Sequence, residues 1–226
     1  MAGEQRVEAV ERAFSILGAF SDGTRSMSLT ELSRRTGLYP STILRLAASL
    51  ERFGYIRRDQ AGAFWLGHTL WRLGVLYQAN FDLAEFVRPV LRHLSAETGE
   101  TAALYVREGD KRICLYRVNG THVIRSHLEE GAELPLDRGA SAHILMAFTG
   151  GVSEKYDNVR KQGYAVSLGE RDADAAAVSV PLFGKRGDFV GALALTGPLR
   201  RFSEDNLLWF RSLLVGQAEL LKPSIN

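Results

Sequence analysis

Apolar side chains recur at intervals of three and four from the start of the chain: Val7, Val10, Phe14, Leu17 and Phe20. That spacing predicts a helix over residues 5–21 with these five on one face. Asp22-Gly23 then supplies a turn. Ser28-Leu29-Thr30-Glu31 fits a capping box, in which the serine oxygen accepts the Glu31 amide and the glutamate reaches back. A second helix is expected from about Ser28 to Thr36, ended by Gly37 in a left-handed conformation. Pro40 suits the first turn of a third helix, from about Pro40 to Phe53, because its missing N–H is not needed there. Ile43, Leu46, Ala47 and Leu50 form the buried stripe of that helix, and Ser41, Thr42, Arg45, Ser49 and Arg52 fall largely on its other faces. Tyr55–Arg58 and Phe64–Leu66, joined across Asp59–Ala63, make a β-hairpin. Helix, turn, helix and hairpin in that order describe a winged helix-turn-helix, whose second paired helix enters the DNA major groove.

Residues 67–79 continue as a helix, with Leu70, Leu73 and Leu76 spaced by three and Trp71 nearby, an apolar stripe suited to a dimer contact. The next helix has Leu83, Phe86, Val87, Val90, Leu91 and Leu94 on one face and Pro89 inside it. The period then changes. Residues 101–107, 112–118 and 122–128 read as strands, with turns at Gly109-Asp110 and Asn119-Gly120. Helices are expected over 140–148 and 153–162, strands over 163–167, 177–183 and 189–196, and a last helix over 203–221 capped by Ser203. Strands interrupted by helices imply a sheet with helices packed on it.

Charge sharpens the first third. Residues 1–80 carry ten arginines, no lysine and seven acids, and residues 25–58 alone hold seven arginines against Glu31 and Glu51. The guanidinium fork suits phosphate oxygens and guanine edges. Over all 226 residues the net charge is only +2 and 46% of residues are hydrophobic, an ordinary globular composition. No apolar run reaches the ~18 residues of a membrane span, and the charged start MAGEQRVEAVERAF lacks the pattern of a secretion signal. Cys114 is the single cysteine, so no intrachain disulfide forms, and a cytoplasmic location is expected.

The stretch SLTELSRRTGLYPSTILRLAASLERFGYIRRD, followed by FWLGHTLWRLG, resembles the DNA-binding domain of the IclR family of bacterial transcription regulators. The likeness continues through LAEFVRPVLRHLSAETGETAALYV, ELPLDRGASAHILMAF, QGYAVSLGE and VSVPLFGKRGDFVGALALTGP, and so spans nearly the whole chain. It implies a two-domain α+β protein: a winged helix-turn-helix over 1–66, a linker helix over 67–81 and a GAF-like α/β effector-binding domain over 82–226. It further implies a homodimer or dimer of dimers on a pseudo-palindromic operator in double-stranded DNA, with a small-molecule effector, such as a small organic or aromatic acid, relieving repression. No enzyme activity, cofactor, metal or membrane partner is implied.

By the same resemblance, Tyr39, Pro40, Ser41, Thr42 and Arg45 belong to the recognition helix, Arg34 and Arg35 approach phosphates, and Arg57 and Arg58 lie at the wing. Leu128, Ser179, Ala194 and Thr196 line the effector cavity, Gly139, Ala140 and Ser141 offer amides at a helix start, and Asp174 lies near the rim. Many family members have Gly-Lys where this chain has Ala142-His143, and the segment between Gly151 and Tyr164 is shorter than usual. Two other functions remain to be weighed. A Cys114–histidine enzyme centre would need a third orienting group, and the glycines match no nucleotide-binding fingerprint. A metal site would have to draw on scattered histidines, of which His122 and His143 make the best pair. The remaining alternative is an effector-sensing or protein-interaction module without sequence-specific DNA binding.

Overall fold

The computed structural model describes residues 6–79, 83–122, 128–150 and 153–225. The chain divides into two compact units, residues 1–80 and 81–226. The first contains α1 (Glu8–Gly18), β1 (Ser26–Met27), α2 (Leu29–Thr36), α3 (Pro40–Arg52), β2 (Ile56–Arg58), β3 (Phe64–Leu66) and α4 (His68–Ala79). Ser28 caps α2 by accepting the Glu31 N–H at 3.2 Å, and Gly37 closes it at φ 70°. The reciprocal half of the expected capping box does not form: the Glu31 carboxylate accepts from Arg34 and Arg35 instead of reaching back to Ser28. Ion-paired hydrogen bonds to two guanidinium groups outcompete one to a neutral amide.

A small core joins these pieces. Ile16, Phe20, Met27, Leu32, Ile43, Ala47, Ile56 and Phe64 are buried together, with Leu17, Leu46 and Leu50 packed against them. The α1 face expected from spacing is therefore split. Phe20 and Leu17 turn inward beside Ile16, whereas Val7, Val10 and Phe14 are exposed. A residue pair that the sequence reading left out, β1, adds an antiparallel edge to the hairpin, giving the order β1-β3-β2. The hairpin starts with a close backbone approach: Gly67 donates to the Tyr55 carbonyl at 2.8 Å, and a Cβ on Gly67 would sit 2.0 Å from the Gly54 carbonyl oxygen.

The second unit is a six-stranded antiparallel sheet with helices on both faces. Its elements are α5 (Ala84–Thr98), β4 (Thr101–Glu108), β5 (Lys111–Val118), β6 (Glu133–Pro135), α6 (Ala140–Thr149), α7 (Asp157–Gln162), β7 (Ala165–Leu168), β8 (Ala175–Phe183), β9 (Phe189–Pro198) and α8 (Glu204–Leu221). Strand order is β6-β5-β4-β9-β8-β7. α5 and α8 cover one face over Leu104, Tyr116, Val178, Val180, Leu193 and Leu195. α6 covers the other over Ala103, Tyr105, Cys114, Ala192 and Ala194. α5 runs through Pro89, and Phe86 is exposed while Leu83, Val87, Leu91 and Leu94 are buried. β6, absent from the sequence reading, pairs with β5. The strand expected at 122–128 falls almost entirely outside the described residues. No helix among the described residues is long and apolar enough to cross a membrane.

The Gly67 approach predicts that Gly67→Ala destabilises the first unit by about 2–4 kcal/mol, because the obstructing atoms are backbone and cannot rotate away. Thermal unfolding followed by circular dichroism measures it, and a midpoint equal to the parent's would show that the backbone relaxes freely.

Candidate functional site

Two regions carry unused chemistry, one in each unit. In the first, α3 turns Ile43 and Ala47 into the core, so Pro40, Ser41, Leu44, Arg45, Ser49 and Arg52 face outward, with Thr42 half-buried. Tyr39 caps the helix and is 79% exposed. Among the described residues Arg45 makes no ion pair, so its five donors are available to a ligand. On β2, Arg57 stacks 4.7 Å over the Trp65 ring and Arg58 4.4 Å over Phe64. Both guanidinium groups are thus held in place by aromatic faces while remaining exposed. Asp59 braces the hairpin by accepting from the Ala63 N–H and the Trp65 Nε1–H, each at 2.9 Å.

The arginines of α2 are placed differently. Arg34 is largely exposed, held by Glu31 alone. Arg35 donates to Glu31, to Asp22 at 2.6 Å, to the Ala19 carbonyl at 3.0 Å and to Thr24. Its guanidinium therefore ties α2 to the turn after α1, and phosphate would have to compete with two carboxylates for it. Hydrogen bonds from Arg34 and then Arg35 pull the Glu31 carboxyl down to about 2. Asp22 also falls to about 2, through Thr24 first and Arg35 next.

In the second unit a cavity of about 40 Å³ opens between the sheet and the start of α6. Gly139, Ala140, Ser141 and Thr196 from the expected set line it, together with Tyr105, Arg112, Leu134, Ser167, Arg171, Ala175 and Ala177. The other expected residues do not. Ser179 and Ala194 are opposite each other on the same sheet face but fully covered, and the Ser179 hydroxyl donates to the Leu193 carbonyl at 2.9 Å. Leu128 packs against the core under α6, and Asp174 is exposed in the turn before β8, where its carbonyl accepts from Leu199. The Gly139 N–H, read as an open anion site, already donates to the Glu170 carboxylate at 2.8 Å, which also meets His143 Nε2 at 2.8 Å. Burial alone would raise the Glu170 carboxyl, but these two partners outweigh it and hold it below the usual range.

Arg112 and Tyr105 are the site residues that sequence reasoning missed. Arg112 is 3% exposed, lies over the Tyr105 ring at 5.6 Å and donates from Nη1 to Ser141 Oγ at 2.6 Å. Burial lowers its pKa and pushes the Tyr105 hydroxyl up to about 12. Cys114 is fully buried and its thiol is pushed up to about 11 by the same cause, which suits a packing position. Among the described residues no group of three metal-ligating side chains converges. His143 is held by Glu170, and the His122 ring packs against Gly99. His127 lies outside the described residues.

A family model for the IclR helix-turn-helix domain matches residues 9–60. A second, for the C-terminal part of the bacterial transcriptional regulator IclR, matches 75–156 and 150–221, breaking within the segment between Gly151 and Tyr164. The transcriptional regulator KipR of Bacillus subtilis is 26% identical over 229 residues, covering 90% of this chain and 91% of its own. The crystal structure of Thermotoga maritima IclR superposes with a TM-score of 0.78 at 21% identity, covering 96% of this chain and 98% of that one. An IclR homologue from Microbacterium hydrocarbonoxydans, crystallised with 4-hydroxybenzoate, gives a TM-score of 0.77 at 21% identity over 95% and 99% of the two chains.

The Glu31–Arg35–Asp22 network predicts an acid-sensitive first unit. Both carboxyls have folded pKa values below their unfolded values near 4, so their contribution is present above about pH 4 and lost as pH falls toward 2. Glu31→Gln should start with a lower thermal midpoint than the parent and lose less of it across that window. Parallel losses would show that the network adds no pH-dependent stability.

Proposed function

The chain belongs to the IclR family of bacterial transcriptional regulators, and we propose that it is a homodimeric, cytoplasmic repressor that binds a pseudo-palindromic operator and releases it on binding a small organic acid. The observation that carries this reading is the outward face of α3: Tyr39, Pro40, Ser41 and Arg45 exposed without internal ion pairs, in the same unit as a hairpin whose Arg57 and Arg58 are exposed on aromatic supports. Arg45 reads a base edge in the major groove, Ser41 and Thr42 bond phosphates or base edges near the helix start, and Arg57 and Arg58 grip the backbone or minor groove. Arg34 adds a phosphate contact. Arg35 acts mainly by positioning α2.

Residues 1–66 form the DNA-binding domain, 67–81 the linker and 82–226 a GAF-like effector domain in this proposal. The exposed Trp71, Leu73, Val75 and Leu76 of α4, with Val7, Val10 and Phe14 of α1, are the surfaces a second copy would cover. Pairing through such surfaces gives a homodimer or a dimer of dimers. The effector lies under α6, where Gly139, Ala140, Ser141 and Thr196 line the cavity and Leu128, Ser179, Ala194 and Asp174 shape its surroundings. The 4-hydroxybenzoate bound by the Microbacterium protein makes an aromatic acid a reasonable first effector to try. A cavity of about 40 Å³ must widen to admit such a molecule, which gives the ligand a conformational difference on which to act.

The test is a mobility shift with the full chain on DNA upstream of its own gene and on unrelated DNA, at two salt concentrations. A discrete complex on the upstream DNA, weakening steeply with salt, is expected. If selection from random DNA also yields no preferred site, the DNA-binding reading falls and a protein-interaction module takes its place. Within the complex, Arg45→Ala should erase about 1–3 kcal/mol of discrimination between operator and scrambled DNA. Arg58→Ala should weaken both DNAs alike. Equal losses on both DNAs for Arg45→Ala would remove its base-reading role.

A further inference from the structure

The cavity under α6 contains a buried positive charge that, among the described residues, has no direct ion pair, although Asp137 and Glu170 act on it from a distance. Arg112 is 3% exposed. Among the described residues its guanidinium has one hydrogen bond, from Nη1 to Ser141 Oγ at 2.6 Å, and its buried Nε has no partner. The nearby acids are already engaged. Asp137 accepts from Arg138 at 2.7 Å, and Glu170 accepts from the Gly139 N–H and lies against His143. Arg171, exposed and also lining the cavity, adds a second positive charge. The Tyr105 ring offers Arg112 its face at 5.6 Å, which offsets part of the burial but does not neutralise it.

A buried guanidinium cannot shed its proton at physiological pH, so burial without a paired anion is costly. The cost is explained if the anion is supplied from outside. From this geometry we infer that Arg112 is the anchor for the carboxylate of a small monocarboxylic acid, with Ser141 Oγ as the adjoining polar contact and Tyr105 and Leu134 beneath the acid's body. The inference rests on reading the second unit as the effector domain for a small organic acid, and it adds to that reading the residue that holds the acid's carboxylate. It also moves the anion from the place the helix start alone would suggest. Glu170 holds the Gly139 amide, so the entering carboxylate meets the guanidinium fork instead.

Arg112 also lies directly against the start of α6. A Cβ on Gly139 would lie 3.0 Å from Arg112 Nη2 and 3.2 Å from Nη1, so the helix begins directly over the guanidinium, at a glycine with φ 98°. An anion that pairs with Arg112 acts on the same group that bonds Ser141 in the first turn. Binding is thereby linked to the position of α6, which packs on this face of the sheet and carries α7 on it.

The experiment measures thermal shift and calorimetric binding on the full chain with propionate, benzoate and 4-hydroxybenzoate, beside propionamide, benzamide and inorganic phosphate. At least one carboxylate is expected to bind and raise the midpoint, while the amides do not. Arg112→Met should weaken that binding about tenfold or more. Its unliganded midpoint should not fall below the parent's, a result a purely structural arginine would not give. Should Arg112→Met fail to fold, Arg112→Lys, which keeps the charge but loses the fork, should still bind several-fold more weakly. Equal affinity in the folded variant, equal binding of amides and acids, preference for phosphate, or no binding by any carboxylate at millimolar concentration overturns the inference. Operator binding by the unliganded protein, measured separately by mobility shift, reports whether the regulator reading itself stands.

Discussion

Alternation along β8 and β9 is the constraint on which the second unit depends. On one face the strands present Val178, Val180, Leu182, Leu193 and Leu195, large branched side chains that fill the space under α5 and α8. On the other they present Ala177, Ser179, Ala192 and Ala194. Since side chains change face at every residue, one run of sequence builds both surfaces. The large face stabilises the unit. The small face lets α6 approach closely and leaves, at its N-terminal end, a gap that side chains do not fill. Burying Arg112 at that gap is tolerable only because Tyr105, Ser141 and the absent side chain of Gly139 make room for the guanidinium.

The first unit solves a different problem with little apolar material. Among the described residues its buried core has eight side chains, so polar ties and backbone contacts must help fix the angles between elements. Arg35 fastens α2 to the turn after α1 through three acceptors, the Ala19 carbonyl, Asp22 and Thr24, and the Gly54–Gly67 approach fastens the hairpin to the end of α3. Rigid support of this kind is what a DNA-reading helix requires, because a base contact depends on placing a few side chains within a narrow range of positions. The arginines consequently divide by role. Arg35, within reach of both Glu31 and Asp22, holds the scaffold, and the arginines on α3 and β2 are left outward.

Much of this was legible in the sequence. The Ser28 cap, Gly37, Pro40 and the apolar spacing of α3 are local signals that tertiary context did not override, and the paired helices fall where those signals put them. What failed was whatever depends on partners distant in the chain. β1 and β6 are two and three residues long, too short for any alternation to show. Periodicity marked Val7, Val10, Phe14 and Phe86 as members of apolar faces, but period alone does not say whether the chain covers a face itself. Arg112 leaves no mark on a net count, because beyond residue 80 the chain carries 18 basic against 19 acidic residues, nearly balanced. The signal was present: in KRICLYRV, Arg112 shares a face with Cys114, two residues away, and an inward cysteine on a two-residue period draws its neighbour inward too.

The start of α6 concentrates the chemistry of the second unit because three independent ties meet there. Glu170 accepts from the Gly139 N–H and reaches His143 one turn on, and Arg112 donates to Ser141 from below. Two of these ties have opposite charges, so an entering anion does not act on them equally: it is drawn to Arg112 and repelled by Glu170. A neutral ligand would feel neither effect. Differential affinity between two positions of α6 is all that regulation by a ligand demands, and unequal forces on the two sides of one helix start provide a physical origin for it.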